Sequence, residues 1–227
     1  QDSRAFLYMY VNEQLTLQPW ESAGEKVNKK YMEGLEKRVE NGIITYEIKD
    51  STFDNDIEWY PVRLGVDFSK WVKDANHLVI PQSVSRIDCN FWECIELKSF
   101  VVHKNNRHFS TDENGALYSF EKDVLYKVPP ATKGCFVVPD SVREIRGHAF
   151  SSCSKLKEIV IGKRVISIGI HAFYDCHPQN PIIIPENVRD FGGCTPVQVA
   201  DKAHLSAEFI YKGKKYSYIE LNESFGR

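Results

Sequence analysis

The sequence predicts an α/β-type solenoid: a short array of stacked repeats with parallel strands, an α+β cap before it and a β-hairpin after it. Three observations predict this. Residues 138–153 and 161–176 repeat one another, with Val142 matching Val165, Ile145 matching Ile168, Phe150 matching Phe173 and Cys153 matching Cys176, always 23 residues apart. A fixed period of that size marks units that cannot bury an apolar face alone and must stack. Ile159 and Ile161 alternate as on a short strand, and one strand per unit builds a parallel sheet. Ala149-Phe150 and Ala172-Phe173 set a small and then a large residue at the same station, as an interior ladder requires.

Taken in order, residues 1–75 read as a cap or small α+β domain. Residues 4–17 open with an apolar, aromatic run that suits a strand. Val27, Tyr31, Leu35 and Val39 recur every four residues, predicting a helix that Asn41-Gly42 stops. Ile43 to Ile48 reads as a strand. The array then starts at Ile80-Pro81-Gln82-Ser83-Val84 and runs through Ile87, Phe91, Cys94 and Leu97. This copy is one residue short before Phe91. Its later spacings match those of Phe150, Cys153 and Leu156.

Between Val102 and Pro139 the unit is irregular, 36 residues long instead of 23. Asn114-Gly115 between Phe109 and Leu117-Tyr118 signals a turn, because glycine supplies a positive φ without steric penalty. Val124 to Val128 reads as the return strand. Downstream, Ile184-Pro185-Glu186-Asn187-Val188 leads to Phe191 and collapses at Gly192-Gly193-Cys194. Phe209 to Leu221 reads as a hairpin turning at Lys212-Gly213-Lys214, placed to close the last open edge.

These residues resemble the BspA-type leucine-rich repeat family of bacterial surface proteins. Its unit is Ile-Pro-x-x-Val-x-x-Ile-x-x-x-Ala-Phe-x-x-Cys-x-x-Leu-x-x-Ile, and Val138 to Ile161 fits almost position for position. Phe109 to Tyr118 looks like that family's hairpin insert. The resemblance spans roughly residues 78–197, so the chain divides into a cap (1–75), a solenoid (76–197, insert near 104–130) and a capping hairpin (198–227). It implies a non-catalytic, adhesin-like module that binds a protein, such as a host or extracellular-matrix protein, at the bacterial surface or beyond it.

Composition narrows the alternatives. The 29 Lys and Arg nearly balance the 31 Asp and Glu, which leaves no basic field for nucleic acid. No apolar run reaches the ~18 residues that span a bilayer. The chain begins at Gln1, so it is expected to be a processed product whose export signal has been removed, placing it outside the cell or on its surface. Six cysteines are too few for a disulfide scaffold and lack the close pairs of a zinc site.

The candidate residues fall into groups. Phe91, Phe150 and Phe173 with Cys94, Cys153, Cys176 and Cys194 form the expected structural ladder, the thiols acting as small buried hydrophobes. Cys89 and Cys135 sit off that station and are the candidates for oxidation. His148 and His171 are also 23 apart; two imidazoles do not close a metal site, so a solvent-facing position is expected. His103 and His108 lie in the irregular unit, and the sequence places no partner for them. Asp112 and Asn114 faintly suggest a calcium loop, but its closing glutamate is missing. No Ser or Cys nucleophile has a neighbouring base and no glycine-rich phosphate loop exists, so no catalysis and no cofactor are expected.

One pattern points outward. Val79, Val101, Val137, Val160 and Ile183 lie between the inward positions of successive strands and should form an apolar stripe on the open sheet face. Strand propensity alone favours such residues. Alternatively a partner, or the chain's own terminal segments, covers the stripe, since large exposed apolar patches are uncommon. A structural subunit of a cell-envelope complex is the second functional reading, and an enzyme site in the N-terminal region the third.

Overall fold

The computed structural model describes residues 6–11, 14–19, 35–49, 62–64, 68–192 and 208–216. β1 (Phe6–Val11) and β2 (Gln14–Pro19) pair antiparallel as a hairpin. β3 (Leu35–Glu40) pairs antiparallel with β4 (Ile43–Ile48), in register from Leu35 opposite Ile48 to Glu40 opposite Ile43. This corrects the expected helix of residues 27–39 wherever that segment is described; Val27 and Tyr31 lie outside the described residues. Leu35 and Val39 are four apart, an even number, so they share one face of a strand as readily as one face of a helix. Asn41-Gly42 decides between the two. Both residues have positive φ, +50° and +77°, the geometry of a two-residue hairpin loop rather than a helix stop.

β5 (Val62–Leu64) precedes α1 (Phe68–Trp71). At four residues, α1 is the only helix among the described residues, so the α part of the expected α+β cap finds no support beyond it. The solenoid follows with β6 (His77–Ile80), β7 (Val84–Ile87) and β8 (Ser99–Val102). The irregular unit supplies β9 (Phe109–Thr111), β10 (Leu117–Ser119) and β11 (Val124–Lys127). Then come β12 (Gly134–Val137), β13 (Glu144–Ile145), β14 (Leu156–Val160), β15 (Ser167–Ile168) and β16 (Ile182–Ile184). β17 (Phe209–Tyr211) and β18 (Lys214–Tyr216) close the described chain.

Each coil contributes strands to two sheets. On one side β4, β6 and β8 run parallel, as do β12 and β14, and β16 pairs in parallel with β17. β18 then folds back antiparallel on β17 through Lys212-Gly213. On the other side β5 pairs with β7, and β11, β13 and β15 run parallel with the β9–β10 hairpin at their edge.

The core lies between the sheets. Phe150 and Phe173 are fully buried and stack at 5.2 Å and 19°, while Phe136 meets Phe150 edge-on at 5.5 Å. Phe91 is equally buried, edge-on to Phe100 at 5.0 Å. Cys94, Cys153 and Cys176 are buried and free; Cys194 lies outside the described residues. Close coil spacing leaves some positions no room for a side chain: a Cβ on Gly169 would stand 2.2 Å from the Gly147 nitrogen.

Two polar residues tie the irregular unit down. Buried Asn106 donates from its amide to the carbonyls of Pro81 (2.8 Å) and Val84 (2.9 Å), and its Oδ1 accepts from the Phe109 and His108 amides. Every bonding position of that side chain thus serves the packing of the insert on the preceding coil. Asp112 accepts on Oδ1 from the Asn114 and Ala116 amides and on Oδ2 from the Tyr118 hydroxyl. Its carboxylate is therefore committed to the turn.

Candidate protein-binding face

The strands β6, β8, β12, β14 and β16 alternate inward and outward, except in β14, where Lys157 and Glu158 are both exposed. Leu78, Ile80, Phe100, Phe136, Ile159, Ile182 and Ile184 face the core. The residues between them face out: Val101 is 47% exposed, Val137 61%, Val160 41% and Ile183 67%, with Val79 half-buried. Strand pairing sets Val79 beside Val101 and Val137 beside Val160. It also sets Ile183 beside half-buried Ile210, which continues the row onto β17. No strand pairing joins β8 to β12 or β14 to β16; between β8 and β12 the coils are linked by the Ala131 amide, which donates to the Leu97 carbonyl at 2.9 Å.

Beside the apolar row runs a polar one. His77 Nδ1 and Ser99 Oγ are 2.7 Å apart, and exposed Cys135 pairs in register with Glu158. Burial first, and then Lys98, hold the His77 imidazole below its ordinary pKa. Burial and then Glu158 raise the Cys135 thiol, which disfavours the reactive thiolate. Charges frame both ends of the face. Arg38 meets Glu47 at 2.8 Å on the β3–β4 hairpin, where Glu47 stands beside Val79. Lys215 meets Glu208 at 2.8 Å beyond Ile210. An apolar centre with a charged rim is the anatomy of a protein-recognition patch.

The remaining candidates resolve differently. His148 and His171 do not simply face solvent. Their rings lie 5.0 Å apart at 30°, and Nδ1 of each is buried without a hydrogen-bond partner. Both residues hold left-handed backbone, φ +61° and +56°, a conformation that Asn, Asp and His enter more readily than other non-glycine residues. Burial, with His171 and Lys127 nearby, pushes the His148 pKa down to about 4. No group of three or more His, Cys, Asp or Glu side chains able to hold a metal occurs among the described residues.

Burial pushes the thiol of Cys94 up to about 12 and that of Cys153 to about 11, and raises Cys176 well above its ordinary value. These thiols are therefore protonated and poor nucleophiles at neutral pH.

Sequence reasoning missed two features. Lys127 is fully buried on β11, where β-strand alternation turns it inward. Its Nζ donates to the Ser151 carbonyl (2.6 Å), Ser151 Oγ (2.7 Å) and the His148 carbonyl (3.1 Å). Its inward register, two residues after buried Leu125, was the available signal. The second is a cleft of about 200 Å³ lined by Asn90, Trp92, His148, His171 and Tyr174. Trp92 sits one residue after ladder Phe91, just as Tyr174 follows Phe173; that shared station was the signal.

With this geometry in hand, comparison with known proteins places the repeats. Residues 119–195 match the BspA type leucine rich repeat region, in six copies. Over this stretch the chain is similar to a BspA-type leucine-rich repeat array. The structure is similar to a leucine-rich repeat protein from Eubacterium ventriosum, at 30% identity and a TM-score of 0.53, over 61% of this chain and 37% of that one. It is also similar to the pneumococcal vaccine antigen PcpA (25% identity, TM-score 0.47, 51% and 29% coverage). A third likeness is to a leucine rich cell surface protein from Faecalibacterium prausnitzii (23%, TM-score 0.45, 62% and 48%). The chain thus spans less than half the length of each. No curated protein matches it. No helix among the described residues is long and apolar enough to cross a membrane.

Proposed function

We propose that this chain is a non-catalytic, adhesin-like protein-binding module, displayed at or beyond a bacterial cell surface, that receives its partner on the Val101–Val137–Val160–Ile183 stripe. One observation carries the reading: four β-branched apolar side chains stand 41–67% exposed in a row across successive strands. Strand propensity accounts for β-branched residues, but exposed apolar side chains at the same outward station of four strands are surface that water disfavours and a partner rewards at ~25 cal/mol per Å². The solenoid supports it as a broad, preformed platform. The charged pairs at both ends supply the specificity that an apolar patch lacks. Host or extracellular-matrix proteins are the partners this reading expects.

Substituting Val137 and Val160 together by Lys tests it against a panel of immobilised extracellular-matrix proteins. Lost capture with an unchanged thermal midpoint supports a partner site. A lowered midpoint instead means that the chain covers the stripe itself, which contradicts the proposal.

A further inference from the structure

We propose that the cleft of Asn90, Trp92, His148, His171 and Tyr174 binds the uncharged pyranose ring of a sugar, stacked on Trp92 and held by imidazole and amide hydrogen bonds. The site is separate from the apolar stripe, none of whose residues lines it.

The lining selects the ligand class. It contains no Lys, Arg, Asp or Glu, so a charged ligand would find no counter-ion there, and desolvating it would be unfavourable. Trp92 is 47% exposed at the cleft, a large flat ring left in contact with water. Pyranoses carry an apolar C–H face and a rim of hydroxyls, and so need both an aromatic platform and neutral hydrogen-bonding groups. About 200 Å³ suits one such ring.

The histidines supply the donors. With Nδ1 sealed and unpartnered in both rings, Nε2 is the only ring nitrogen that the cleft can reach. A neutral imidazole carries one proton, and a buried N–H with no acceptor is strongly disfavoured. In His148 the proton therefore resides on Nε2, and that ring offers an N–H to a hydroxyl oxygen. Burial also keeps His148 neutral, with a pKa of about 4. Asn90 adds an amide that both donates and accepts.

The test has two arms: saturation-transfer NMR with methyl β-D-galactopyranoside and methyl β-D-glucopyranoside, and an array of neutral and acidic glycans. Saturation of the C–H protons of one pyranose face in either glycoside supports the proposal for the ring itself. Binding only to neutral array glycans supports it for a sugar at the end of a larger chain. Trp92→Ala should weaken that binding about tenfold or more, ~1.4 kcal/mol, without moving the thermal midpoint, because the side chain is half exposed. His171→Asn, which tolerates the same backbone, should weaken it too. The proposal is overturned by binding to neither neutral class, by binding confined to acidic glycans, or by binding that Trp92→Ala leaves intact. Val137→Lys/Val160→Lys should leave sugar binding unchanged, so the two sites fail or succeed separately.

Discussion

Replacing Lys127 by Met converts a buried ammonium into an apolar side chain of similar reach. The ammonium is held by three acceptors, none of them a carboxylate: two carbonyls and a hydroxyl. Burial dominates, and it lowers the lysine from 10.5 to about 8 against the opposing influence of the Cys153, Cys94, Cys89 and Cys176 thiols. That separation of about 2.5 pH units, at ~1.36 kcal/mol per unit, amounts to roughly 3 kcal/mol.

The sign follows from linkage. Between pH 8 and 10.5 the unfolded chain keeps the proton that the folded chain has lost, so this group adds stability as pH rises through that window. Below pH 8 its contribution is constant and at its least favourable. The buried thiols work the opposite way above their ordinary pKa, so the informative quantity is the difference between wild type and Lys127→Met. Urea unfolding from pH 7 to 9.5 should show wild type gaining about 2 kcal/mol relative to the variant. At pH 7 the two should lie within about 1 kcal/mol, since removing the burial penalty offsets the lost hydrogen bonds. A stability difference that does not change with pH would refute the reasoning. So would a loss above about 4 kcal/mol at pH 7, because Lys127 would then be a net stabiliser.

Three further outcomes are expected. Phe150→Ala should lose about 3–5 kcal/mol in urea unfolding, because a fully buried ring between Phe136 and Phe173 leaves a cavity; an unchanged midpoint would place Phe150 outside the core. Gly169→Ala should lose about 1–3 kcal/mol or more, since its Cβ meets backbone of the preceding coil instead of a side chain that can swing away. His148→Asn should reduce the loss of stability on acidification between pH 6.5 and about 4: there the unfolded chain binds a proton that the folded His148 refuses, so the folded state weakens as pH falls. Thermal midpoints of variant and wild type across that range check this, and parallel curves would contradict it.

The sequence shows the array plainly because a ladder repeats the same physical demand in every coil. Phe150 and Phe173 must both fill the interior, and Cys153 and Cys176 must both be small. The outward register of Val101, Val137, Val160 and Ile183 follows from the same alternation. Residues 35–40 were harder to read because Leu35 and Val39 satisfy both periods, and only the two positive φ values at Asn41-Gly42 separate a hairpin from a helix end. For Lys127 only the inward register after Leu125 was legible, because its partners are carbonyls and a hydroxyl from a later coil, Ser151 and His148, which carry no charge signal. The cleft combines residues of three coils that are 58 to 84 positions apart at their extremes, Asn90 to His148 and Tyr174, so only the shared station of Trp92 and Tyr174 announces it.

The proposed function depends on the exposed stripe being the partner site. The most direct measurement is surface plasmon resonance of wild type and Val137→Lys/Val160→Lys against the matrix-protein panel, with circular dichroism melting of both. The account predicts binding by wild type, loss of that binding in the variant and superimposable melts. Binding that survives both lysines would contradict it.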